Sequence, residues 1–144
     1  IHGGTARAYY VGIESPAPAV PGVAPPVTAY CVAPFGMEEG TASVMPEHEL
    51  GVVVGEPVRF RFFGSSVRRT DTVGTELERF RPGELEELSP IEVTLPAEGR
   101  REGEVVPVRL ESSVSPVGVL TLEAVPVHPR TADERWKIEL NVRG

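Results

Sequence analysis

Near its end the chain alternates apolar and polar side chains: Trp136, Ile138, Leu140 and Val142 are separated by Lys137, Glu139, Asn141 and Arg143. A period of two sends successive side chains to opposite faces of an extended strand. The segment is therefore predicted to be a strand with one wet face, and Trp136 to be buried on the other. The pattern returns in Val58, Phe60 and Phe62 against Arg59 and Arg61, although Phe63 falls on the arginine face. It returns again in Ile91, Val93 and Leu95 against Glu92 and Thr94, and in Val106, Val108 and Leu110. In the last of these Pro107 removes a backbone donor, which predicts an edge position. Less regular apolar runs at residues 6–14, 27–33, 50–54, 73–80 and 117–125 add further strand candidates.

Turn chemistry separates these segments, at Pro21-Gly22, Pro25-Pro26, Gly55-Glu56-Pro57, Glu98-Gly99 and Pro116-Val117-Gly118. The 15 glycines and 15 prolines leave little room for a long helix. The one place with room for a helical turn is residues 84–88, where Leu85 and Leu88 lie three apart, too short to carry an architecture. The expected fold is all-β, an antiparallel β-sandwich of about eight or nine short strands. It is read as one domain over residues 1–144. Two stretches read as irregular: residues 15–26, which hold five prolines, and residues 35–48, a long loop of the kind that carries binding surfaces.

The formal charge of −7 argues against nucleic acid and anionic lipid as partners, since both call for a basic surface. No apolar run approaches the roughly 20 residues that span a bilayer, and no basic segment leads into an apolar one as in a signal peptide. Because the chain opens at Ile1 rather than Met, it is expected to be a fragment of a larger protein. Cys31 is the single cysteine, which fits a reducing compartment and makes the cytoplasm the expected location.

Candidate chemistry is thin. His2, His48 and His128 are far apart, with no close-spaced pair to hold a metal. Cys31, Met37, Met45 and His48 supply the donor types of a copper site. Such a site takes a second histidine and a compact spacing, so Cys31 is read as a small buried hydrophobe. Gly64-Ser65-Ser66 is not a nucleophile elbow, and no glycine-rich loop enters a helix. The expectation is a chain without catalytic residues and without a cofactor. Arg59, Arg61, Arg68, Arg69, Arg79 and Arg81 form the basic concentration, read either as a solvent face paired with nearby glutamates or as a docking patch for an acidic partner.

Several segments, taken in order, resemble the β-sandwich peptide-binding domain of the DnaK-type 70-kDa heat-shock chaperones. Val11-Gly12-Ile13-Glu14 resembles that family's Leu-Gly-Ile-Glu strand. Val58–Phe63 and the turn with Arg68 resemble the strand before its Gln-Gly-Glu-Arg turn. Val73-Gly74-Thr75 with Leu77 stands where the family has Leu-Gly-x-Phe, and Ser89-Pro90-Ile91-Glu92-Val93-Thr94-Leu95 resembles its Pro-x-Ile-Glu-Val-Thr-Phe. Val117-Gly118-Val119-Leu120 follows as the next strand, entered through a glycine turn. Gly64-Ser65-Ser66 replaces the Gln-Gly-Glu-Arg turn, a proline-rich stretch replaces a Gly-Gly hairpin, and residues 136–142 add a late strand.

The resemblance implies a client-binding module of an ATP-dependent chaperone, holding extended apolar polypeptides in a cleft by backbone hydrogen bonds and apolar pockets. By position it implies that Ile13, Val58 and Phe60 line the pocket and Val52 its far wall. It also implies an upstream ATPase domain in the same chain. Ser15-Pro16 stands where the family carries an arch residue over the peptide. The alternative is a generic β-sandwich, either an interaction domain or a carbohydrate-binding module, with Tyr9, Tyr10 and Tyr30 as candidate sugar platforms.

Overall fold

The computed structural model describes residues 7–14, 21–22, 27–38, 40, 42–44, 50–78, 80–81, 83–97, 99–115 and 119–141. The strands are β1 (Ala8–Glu14), β2 (Val27–Ala33), β3 (Ala42–Val44), β4 (Leu50–Val53), β5 (Pro57–Ser65), β6 (Glu76–Leu77), β7 (Glu86–Glu87), β8 (Ile91–Thr94), β9 (Val105–Val114), β10 (Val119–Pro126) and β11 (Trp136–Asn141). They form two antiparallel sheets. The first runs β6-β2-β1-β5-β7, with β8 also on β5, and the second runs β11-β10-β9-β3, with β4 also on β9. The all-β fold expected from the alternation is what the chain adopts. No helix among the described residues is long and apolar enough to cross a membrane.

The inner faces of the two sheets share one core. Val11, Val32 and Phe62 enter it from the first sheet, and Val106, Val108, Leu120, Leu122, Trp136 and Ile138 from the second. Trp136 is buried as the alternation predicts, at 5% exposure. Phe63, assigned by period to the arginine face, is also buried. The outer face of the first sheet carries a second core of Ala8, Tyr10, Ala29, Cys31, Phe63 and Leu77, with Phe35, Phe80 and Leu85 packed on it. The chain between β5 and β7 supplies part of this cover. Its ends are tied by Arg68, which meets Asp71 at 2.7 Å and Glu84 at 2.6 Å, while Asp71 also accepts from the Tyr10 hydroxyl at 2.5 Å.

Four local expectations are corrected. Residues 84–88 form no helical turn: Glu86 and Glu87 pair with β5 as β7, and the Leu88 N–H donates to the Phe62 carbonyl at 2.8 Å. Two leucines three apart offset little of the cost of a helix nucleus, and the sheet edge offers those backbone groups partners. Leu85 then packs in the outer core and Leu88 against the inner one. The strand expected at 73–80 shortens to β6, because Gly74 takes a positive φ of 94° and the Thr75 N–H closes a turn onto Thr72. The loop expected at 35–48 contains β3, paired with β9.

The fourth concerns Pro107, which stands in β9 between β10 and β4 rather than at an edge. Its carbonyl accepts from the Val127 N–H at 3.0 Å, one residue past the end of β10. In an antiparallel ladder a residue's N–H and C=O point the same way, so the missing donor falls where the β10 ladder has already ended.

Cys31 is fully buried in the outer core. Burial, and next the Asp71 carboxylate, push its thiol up to about 12. A raised value favours the folded state while the thiol stays protonated, and that contribution is lost as pH rises toward it. Thiolate is the reactive form. The native protein is therefore expected to leave a thiol reagent such as DTNB unreacted at about pH 8, with one equivalent titrating once denaturant is added. Rapid labelling of the folded chain would contradict this burial.

Candidate functional site: the fork between two central strands

β1 and β5 are paired only in part. The ladder runs from Ala8 opposite Ser65 to Gly12 opposite Arg61. Beyond Gly12, β1 stays with β2, Ile13 opposite Thr28 and Glu14 opposite Val27. The first half of β5 pairs instead on its other side with β8, Pro57 opposite Thr94 through Phe60 opposite Ile91. The sheet thus forks, and among the described residues the β1-facing edge of Pro57–Phe60 has no ladder partner.

Hydrogen-bond alternation along β5 says which groups face the fork. The Phe62 carbonyl points to the β7 side, where it accepts from Leu88. With regular alternation, Val58 and Phe60 direct their backbone groups to β8, and Arg59 directs its N–H and C=O into the fork. The apolar side chains beside it come in cross-strand pairs, Val58 opposite Val93 and Phe60 opposite Ile91. All four are half-buried and pack on the inner core without being enclosed by it.

The residues singled out from sequence are distributed as follows. Val58 and Phe60 stand at the fork, and Ile13 occupies the β1 position just past the last β1–β5 pair, its side chain outside the described ones. Val52 lies on the second sheet, opposite Val106 and buried in the inner core. Ile91 and Val93 were recognised as strand residues but not as neighbours of Val58 and Phe60, since nothing local in the sequence states which strand lies beside β5. Ser15 and Pro16 lie outside the described residues.

Two members of the arginine concentration, Arg61 and Arg68, are ion-paired. Arg61 makes two hydrogen bonds to Glu87, at 3.0 and 2.9 Å, and its guanidinium lies 5.6 Å from the Phe63 ring centroid. Those bonds hold the Glu87 carboxyl below the usual range, against the opposing effect of burial. Arg68 is tied to Asp71 and Glu84, and Arg69 sits 4.6 Å over the Phe35 ring. Arg59 and Arg81 are exposed, and Arg79 lies outside the described residues.

Among the described residues no three His, Cys, Asp or Glu side chains gather as metal ligands. Cys31 and Met37 belong to different cores, His128 is exposed, and His2, Met45 and His48 lie outside the described residues. Of the tyrosines weighed as sugar platforms, Tyr9 and Tyr10 are buried and Tyr30 is half-buried; Trp136 is buried. No family model matches the chain, and neither does a curated protein or a solved structure.

Proposed function

We propose that this chain is a non-catalytic module that holds an extended, apolar stretch of polypeptide at the fork between β1 and β5, as a client-binding domain of a larger chaperone-like protein. The reading is carried by one observation: a half-edge of β5 with no ladder partner among the described residues lies directly beside four half-buried apolar side chains, Val58, Phe60, Ile91 and Val93. An entering strand would hydrogen-bond the Arg59 backbone and place one or two apolar side chains against this block. Backbone bonding of this kind gives affinity with little sequence preference, and the apolar pocket gives the selection. The DnaK-type resemblance supports the same reading through its ordered motifs and extends it to an ATPase domain in the same chain, while the single cysteine supports a cytoplasmic location.

Binding is expected to be weak, because an open fork must order the peptide without any closure to slow its release. Fluorescence anisotropy with a labelled Leu-rich peptide should show saturable binding. Val58→Phe, which fills the block, should weaken it by about tenfold while costing no more than the roughly 1–3 kcal/mol typical of overpacking. Thermal melts run alongside separate a filled site from an unfolded one. If the unmodified chain ignores such peptides even at about millimolar concentration, the client-binding reading is wrong and the module is an interaction or structural domain.

A further inference from the structure

The edges of the two sheets are not alike. β6 and β7 have two residues each, β3 has three, and β4 and β8 have four, β8 lying between Pro90 and Pro96. Shortness, proline and charge are the usual means by which an exposed edge is kept from pairing with another chain. β11 carries only the last of these, in Lys137 and Glu139. It has six residues, no proline, and an unbroken ladder with β10 from Val119 opposite Asn141 to Ala124 opposite Trp136. Among the described residues its outer edge has no partner.

Which backbone groups that edge presents follows from the ladder. The Val119 carbonyl accepts from Ser115 at 2.9 Å, and the Val127 N–H donates to Pro107 at 3.0 Å, so the odd-numbered residues of β10 face β9. The even-numbered ones then face β11, where they meet Trp136, Ile138 and Leu140. Lys137 and Glu139 therefore turn their N–H and C=O outward. Their side chains lie on the wet face, 58% and 57% exposed, and meet each other loosely at 3.9 Å, a contact that an exposed pair exchanges at little cost.

A second copy of β11 laid antiparallel along this edge must set outward groups against outward groups. That rules out registers displaced by one residue. Among those allowed, one places Lys137 opposite Glu139 of the copy and Glu139 opposite its Lys137, two complementary pairs about a two-fold axis at Ile138. Moving by two residues sets Lys137 against Lys137 in one direction and Glu139 against Glu139 in the other. Hydrogen-bond parity and charge thus favour this self-complementary register over its nearest neighbours, and it is the one that gives two opposite-charge pairs, as suits an isologous interface.

We propose that two copies of this protein pair through β11, joining their second sheets into one continuous sheet, with Lys137 opposite Glu139 at both symmetry-related positions. The site is separate from the fork, and the inference does not depend on peptide binding.

The test is sedimentation equilibrium on the chain and two charge variants. The unmodified protein is expected to be dimeric at about 100 μM. Lys137→Glu sets like charges opposite each other at both positions, and so does Glu139→Lys; each alone should weaken association by about tenfold or more. An equimolar mixture of the two variants restores both opposite-charge pairs and should recover the dimer. Recovery also shows that each variant is folded. A monomeric unmodified protein, single variants that associate as well as the parent, or a mixture that stays monomeric would each overturn the proposal.

Discussion

Trp136→Ala is expected to destabilise the protein by about 3–5 kcal/mol, lowering the melting temperature by roughly 10–20 °C. The side chain is 5% exposed in the inner core, opposite Ala124 of β10. Its indole Nε1–H donates to the Pro96 carbonyl at 2.9 Å, tying the end of the second sheet to the chain that leaves β8. Truncation therefore opens a large cavity and strips that carbonyl of its donor, and the two losses act at one place. Trp136→Phe separates them, since it keeps most of the apolar volume and loses the hydrogen bond, and should cost about 1–2 kcal/mol. Urea and thermal melts measure both. As the single tryptophan, Trp136 also reports on itself: emission at the wavelength of a solvated indole in the native protein would contradict this burial.

Arg100→Met should cost about 2–4 kcal/mol at neutral pH, by leaving a mostly buried carboxylate without its cation. The Arg100 and Glu134 side chains are 10% and 6% exposed. The guanidinium grips both Glu134 oxygens at 2.9 Å, donates to Glu104 at 3.1 Å and also bonds the His128 carbonyl at 3.1 Å. One residue thereby joins the β8–β9 connection to the β10–β11 connection. Arg100 holds the Glu134 carboxyl below its usual range, against the opposing effect of burial. A lowered folded-state value means that the contribution is full above the ordinary Glu value of about 4.3 and is lost as pH falls through the folded one. The deficit of the variant should therefore be largest near neutrality and shrink in acid. Urea midpoints at about pH 7 and about pH 3 test this, and an equal deficit at both would assign the loss to packing of the arginine stem instead.

Part of this molecule can be read locally. The alternation around Trp136, Val58, Ile91 and Val106 places a strand at each site, and the face called apolar is the one that enters the inner core. Where the local signal is weak, neighbours decide. Residues 84–88 offer a helical spacing, but the edge of β5 takes their backbone groups. Phe63 looks misplaced on an arginine face until the chain between β5 and β7 is seen to fold over it and make a second core. For the candidate site, Val58 and Phe60 are legible as apolar strand residues. That β1 leaves β5 after Gly12, and that Ile91 and Val93 stand beside them, is not.

The all-β class, most of the strand positions and the burial of Trp136 follow from the order of residues along the chain. Side-chain period and turn residues act over a few neighbouring positions, and a composition with 15 glycines and 15 prolines leaves little room for a long helix. The order of strands in each sheet, the interior place of Pro107, the fork and the β11 edge, which has no partner among the described residues, emerge only when the chain has folded. Each of these depends on which backbone finds which partner across tens of residues. Pairing of that kind is selected by the packing of the whole core, because a strand's own side chains fix its faces but not its neighbour.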